Sequence, residues 1–139
     1  MAKFVLDASA VLRLVEEGIE VSKEHRLESP TLLRSQVLSI LHERVTRGEL
    51  PAKVAHERRA RIRGMPIRLL GDAVLQRRAW DLADRLGWKE TYTAEYVALA
   101  ELHRATLVTA DEELARAVEG LVPTASIDAL RSSSQSRID

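Results

Sequence analysis

Two aspartates stand where short apolar runs end. "KFVL" is followed by Asp7, and "TLVTA" by Asp111. Two carboxylates gathered in polar, water-accessible surroundings suit a hard cation, because Mg²⁺ and Mn²⁺ take oxygen ligands and keep several waters. Such an ion can activate water and stabilise charge on a phosphoryl oxygen. The same residues have a plainer use. Each directly precedes a helical stretch, where aspartate is a favoured N-cap. The pair says more than either member, since both fall at one edge of the sheet that the rest of the chain implies.

That sheet follows from the hydrophobic pattern. Residues 3–6 read as a buried strand. "ASAVLRLVEEG" has helical periodicity through Val11, Leu12, Leu14 and Val15 and stops at Gly18. "IEVSKEHRLES" reads as a short helix followed by a short strand or loop, with Pro30 in the first turn of the next helix. "TLLRSQVLSILHERVTRG" is amphipathic, with a stripe of Leu33, Val37, Ile40, Leu41 and Val45. Pro51 opens a helix that Gly64 and Pro66 end, and "IRLL" is a brief strand. "DAVLQRRAWDLADRLG" is a further amphipathic helix with Trp80 on its apolar side; Trp88, after its stop at Gly87, covers a loop or an interface edge. Residues 91–104 form a helix whose apolar face holds Tyr92, Tyr96, Leu99 and Ala100. A strand at 105–111, a helix at 112–120 and a last strand in "LVPTASI" follow, with Pro123 marking that strand as edge or irregular. Strands separated by long helices imply crossover connections and a mostly parallel sheet covered by helices. In such sheets sites form beyond the carboxyl ends of the strands.

The bulk numbers set the frame. The chain has 139 residues, which suits one domain over residues 1–130 and a polar, frayed tail over 131–139. Lys+Arg and Asp+Glu balance at 21 each, which argues against coating nucleic acid by bulk electrostatics. The absence of cysteine excludes disulfides, zinc–thiolate sites and thiol catalysis. No secretory signal is read at the N-terminus, and no apolar run reaches the ~18 residues of a membrane span. A cytoplasmic protein with no membrane partner is expected. The densest basic segment, residues 53–68, holds Arg58, Arg59, Arg61 and Arg63. It suits RNA phosphates or an acidic stretch of a partner, and equally a solvated helix face. Aromatic residues for base stacking are few. The four histidines show no metal-binding spacing and read as ordinary surface or helix residues, and there is no glycine-rich phosphate loop.

Four blocks, "FVLDASAVLRLV", "SPTLLRSQVLSILHERV", "YTAEYVALAE" and "LVTADEELARAV", occur in an order and spacing that resembles the PIN-domain family, in particular its VapC branch of bacterial toxins. The resemblance runs from about residue 3 to 130. It implies a three-layer α/β/α sandwich with a short, mostly parallel sheet. It implies an endoribonuclease that uses Mg²⁺ or Mn²⁺, is neutralised by a VapB-like antitoxin, and often forms a homodimer or higher assembly. Carried over by position, Asp7 matches the first metal-binding acid and Asp111 the last. Ser9 and Thr109 match their usual polar neighbours.

Two positions depart from the pattern. Gln36 stands where the family usually has glutamate, and Thr93 where it usually has aspartate. Gln36 is nearly isosteric with glutamate, and its carbonyl oxygen is expected to accept from a metal-bound water. Thr93 offers only a hydroxyl. Weaker metal binding is therefore expected. Glu90, three residues before Thr93, and Glu43, on the helix of Gln36, are weak candidate acids; Glu112 adjoins Asp111, and Glu95 points elsewhere. The rival reading is a PIN fold that pairs with an antitoxin or nucleic acid without cutting.

Overall fold

The computed structural model describes residues 2–132. The expected tail lies outside the described residues from residue 133 onward. Five strands form one sheet: β1 (Lys3–Leu6), β2 (Arg26–Pro30), β3 (Ile67–Leu70), β4 (Thr106–Val108) and β5 (Thr124–Ala125). Their order is β3-β2-β1-β4-β5, and every pairing is parallel. The helices are α1 (Ala8–Glu17), α2 (Leu32–Thr46), α3 (Ala52–Arg63), α4 (Ala73–Leu86), α5 (Tyr92–Leu102) and α6 (Glu112–Ala117). The first three pack on one another, while α4 packs on α5 and α5 on β1, β2 and β4. The result is the three-layer α/β/α sandwich that the sequence implies.

The hydrophobic pattern explains the layers. Val5, Leu6, Leu107 and Val108 on the central strands are fully buried, as continuous apolar runs in a doubly covered parallel sheet should be. Helix α1 starts at the Asp7 cap and ends at Gly18, whose φ of 64° is the left-handed C-cap that glycine tolerates. Strand order reverses at β1. The chain moves to β2 and β3 on one side, and β4 and β5 lie on the other. The crevice beyond the carboxyl ends of β1 and β4 is therefore the topological switch point.

Two local expectations over residues 19–30 are corrected. Residues 19–25 form no helix, and Pro30 closes β2 instead of opening α2. Of the short strand or loop read there, the strand is what forms; its polar residues left the choice open. Glu28 is 5% exposed and Ser29 fully buried, yet both are satisfied. Glu28 Oε1 accepts from His103 Nδ1 at 2.8 Å, and Ser29 donates to the Leu6 carbonyl at 2.9 Å. Pro30 lacks an N–H, and the bond to the Leu70 carbonyl is supplied by Thr31 at 3.0 Å.

Trp80 is 62% exposed and Tyr92 51% exposed, so neither joins the core. Helix α4 buries Leu75, Ala79, Leu82 and Ala83. Trp80 lies about 100° around the helix from Ala79, off that stripe. Tyr92 opens α5 ahead of the turns that pack. Trp80→Gln is expected to change unfolding free energy by less than about 0.5 kcal/mol, as measured by urea denaturation. A loss of several kcal/mol would restore Trp80 to the core.

Candidate metal and phosphate site

Asp7 and Asp111 come together at the switch point. Leu6 pairs with Val108 in register, and the Asp7 N–H donates to the Val108 carbonyl at 3.2 Å. Both residues are N-caps, as the plainer reading expects. Asp7 Oδ1 accepts from the Ala10 N–H at 2.9 Å. Asp111 Oδ1 accepts from the Glu113 and Leu114 N–H groups at 3.0 and 3.2 Å. The cap bonds use Oδ1 alone in each residue, so capping leaves the second oxygen of either carboxylate for other work.

Ser9 and Thr109 tie the pair together. Ser9 Oγ donates to Asp7 Oδ1 at 2.6 Å, accepts from the Ala110 N–H at 2.9 Å, and lies 3.3 Å from Thr109 Oγ1. Thr109 Oγ1 accepts from the Asp111 N–H at 3.0 Å. Burial raises the Asp7 pKa above the usual carboxylate range, against the lowering effect of hydrogen bonds from Ser9, Thr109 and Ala10; the nearby Asp111 charge raises it further.

The two substituted positions go to different surroundings. Thr93 is exposed and lines an open cleft of about 510 Å³ with Glu90, Trp88, Lys89, Glu113 and Asp111. Glu90 therefore borders the same space as Thr93 and Asp111. Gln36 instead meets the buried Tyr96, whose hydroxyl donates to Gln36 Oε1 at 2.5 Å. Burial pushes the Tyr96 pKa well above its ordinary value, with Asp7 and Glu95 adding to the shift. That coupling places the phenol near Asp7. Glu43 turns to Arg47, 2.6 Å away, on the exposed side of α2. Glu95 is half-buried, and its pKa is raised by loss of solvation. Glu112 shares with Asp111, Thr109 and Asp128 another cleft, of about 490 Å³.

Sequence reasoning missed three features. Tyr96 was legible only as an apolar-face residue, although its spacing of three from Thr93 puts both on one side of α5. The Glu28–His103 pair joins residues 75 apart. Arg44 and Arg13 line a cleft of about 430 Å³ with Ser9, Asp111, Glu16 and Glu17. The basic segment does not act as one surface. Arg59 and Arg63 join Arg34 around an apolar groove of about 630 Å³ that includes Leu33, Val37 and Leu38. Arg61 faces a separate cavity of about 1030 Å³ with Lys23, Arg26 and Arg68. Arg58 lines neither.

The donor set is hard and oxygen-only, which fits Mg²⁺ or Mn²⁺ in kind. It is sparse in number. Among the described residues no group of three or more His, Cys, Asp or Glu side chains is placed to hold a metal ion. Two carboxylates with water completing the shell is the arrangement these residues offer.

A parallel sheet sandwiched by helices, with two aspartates at its switch point, defines the class. The chain has a VapC-like PIN fold. It is similar to PAE2754 from Pyrobaculum aerophilum, at a TM-score of 0.71 and 20% identity over 93% of each chain. It is similar to VapBC2 from Rickettsia felis, solved bound to a DNA fragment from their promoter, at a TM-score of 0.64 and 10% identity over 89% of this chain and 98% of that one. VapBC-1 from nontypeable Haemophilus influenzae matches at a TM-score of 0.61 and 11% identity, over 91% of this chain and 98% of that one. No protein-family model matches the chain, and no curated protein does. Among the described residues no helix is long and apolar enough to cross a membrane.

Proposed function

We propose that this chain is a VapC-like toxin, an endoribonuclease that cuts RNA phosphodiesters with a weakly held Mg²⁺ or Mn²⁺ and is neutralised by a VapB-like antitoxin. The observation that carries the reading is the intact Asp7–Ser9–Thr109–Asp111 network at the sheet's switch point. Asp7 and Asp111 would hold the ion. When bound, the ion would supply an activated water and a counter-charge for the phosphoryl oxygens. Ser9 and Thr109 hold the Asp7 carboxyl and the backbone of Asp111 in place. Arg44 and Arg13 border the same cleft and suit flanking RNA phosphates. The arginine-rimmed apolar groove between α2 and α3 suits an antitoxin segment. Exposed Trp80 and Val74 on α4 offer apolar surface for a homodimer.

A second reading is favoured by one observation: no third acid joins Asp7 and Asp111 in a metal-binding group among the described residues. The protein would then bind an antitoxin or nucleic acid without cutting. An RNA cleavage assay in Mn²⁺, Mg²⁺ and EDTA separates the two. Metal-dependent cutting by the unmodified chain supports the nuclease. Silence in both metals, with cutting restored by Gln36→Glu/Thr93→Asp, leaves the binding protein.

A further inference from the structure

We propose that Gln36 donates a hydrogen bond to a phosphate oxygen of the RNA, aimed by Tyr96, at the position where the family pattern has a metal-binding carboxylate. The proposal rests on the RNA-binding part of the reading above.

A primary amide carries one acceptor oxygen and an NH₂ with two donors. The Gln36 oxygen receives the Tyr96 hydroxyl at 2.5 Å. Tyr96 is 2% exposed, and its environment keeps the phenol protonated, so it remains a donor. That bond fixes which way the amide faces. Its NH₂ makes no hydrogen bond within the protein among the described residues, and Gln36 is half-exposed. N–H groups that meet solvent, on the helix that starts at the carboxyl end of β2 beside β1, are free to donate to an arriving acceptor. A dication is a poor neighbour for them, whereas a non-bridging phosphate oxygen is a good one. The substitution thus reverses the chemistry of the position, from an acceptor for metal to a donor for substrate. The contact with Tyr96 also spans α2 and α5, 60 residues apart, so a merely structural strut must be separated from a substrate contact.

Gln36→Glu makes that separation. Its carboxylate still accepts from Tyr96, so a strut survives, but the donors are gone and a negative charge faces the phosphate. The measurement is fluorescence anisotropy of a short fluorescein-labelled single-stranded RNA in EDTA, where no cutting occurs, with Tm recorded for each variant. Gln36→Ala is expected to weaken binding by about 10-fold, the scale of one hydrogen bond to a charged group. Gln36→Glu is expected to weaken it more than Gln36→Ala does, and Tyr96→Phe, which frees the amide to rotate, by about 3-fold. Gln36→Glu binding as tightly as the unmodified chain overturns the proposal and leaves a strut. No change in Gln36→Ala overturns it while the RNA-binding reading stands. No RNA binding by the unmodified chain overturns both.

Discussion

Asp7→Asn is expected to remove metal-dependent RNA cleavage while making the metal-free protein more stable. The two effects have one cause. Asp7 is 7% exposed, and burial raises its pKa. The ionised form that a metal needs is the form the fold disfavours. Asparagine keeps the N-cap, since it ranks with aspartate there, and it can still accept from Ser9. It cannot carry the charge. Loss of a partner one shell further out already costs roughly 10–100-fold at many metal sites, so loss of a direct carboxylate should cost at least about 100-fold in cleavage rate.

The pH dependence gives the sign. The folded pKa of Asp7 lies above its unfolded value, so its charged form is penalised only in the fold. Its contribution to stability is most favourable when protonated. That contribution is lost as pH rises from the unfolded value, near 3.8, through the raised folded value. Calorimetry in EDTA should therefore show a higher Tm for Asp7→Asn at about pH 7, with the two proteins converging near about pH 4. Cleavage by the unmodified chain should fall on acidification at a pH above the ordinary carboxylate range, because metal binding needs the anion. A variant that is less stable at neutral pH, or that still cuts at the full rate, would sink the assignment of Asp7.

How legible the fold was depended on how each residue carries its signal. Strands β1 and β4 announce themselves because both faces are covered and the runs are continuously apolar. Strand β2 does not. Its two central residues are Glu28 and Ser29, and their partners, His103 and the Leu6 carbonyl, lie far away in sequence. A buried acid reads as a loop until its partner is known. Pro30 is ambiguous for a related reason, since a residue without an N–H fits the end of a strand and the start of a helix equally. Trp80 shows the limit of periodicity. One position off a narrow alanine-containing stripe is enough to place the largest side chain of the helix in solvent.

The site divides in the same way. The Asp7 and Asp111 pair was legible as two strand ends at one sheet edge once β1 and β4 are neighbours, and Ser9 and Thr109 beside them came from the family resemblance. The Gln36–Tyr96 contact does not. It depends on how α2 and α5 settle across the sheet, and no spacing along the chain encodes it. Glu43 illustrates the converse. It shares a helix with Gln36, yet Arg47 one turn on holds it at the surface. Glu90 reaches the Asp111 cleft from the loop before α5, where helical spacing does not apply.

Restoring both family acids should produce the largest gain. Gln36→Glu/Thr93→Asp is expected to tighten Mn²⁺ binding by about 100-fold or more, at 10-fold or better for each recovered ligand position. Neither change should break local structure. Thr93 is exposed in the first turn of α5, where a negative charge is favoured by roughly 0.3–1 kcal/mol through the helix dipole. Glutamate at 36 retains an acceptor for Tyr96. The cost is electrostatic, because two more negative charges join a sheet edge that already carries Asp111 and a buried Asp7 that is hard to ionise. The metal-free double variant should therefore be less stable at neutral pH than the unmodified chain. Metal should reverse that order. A ligand that binds only the folded state at about 100 times its Kd adds about 2.7 kcal/mol, or roughly 5–11 °C in Tm for a domain of this size. Thermal melts in EDTA and in Mn²⁺ read both halves at once. A double variant whose Tm does not respond to Mn²⁺ would mean that positions 36 and 93 do not converge on the Asp7–Asp111 crevice. A large metal response in the unmodified chain would mean that its two aspartates already hold an ion well, and that the substitutions at 36 and 93 never weakened the site.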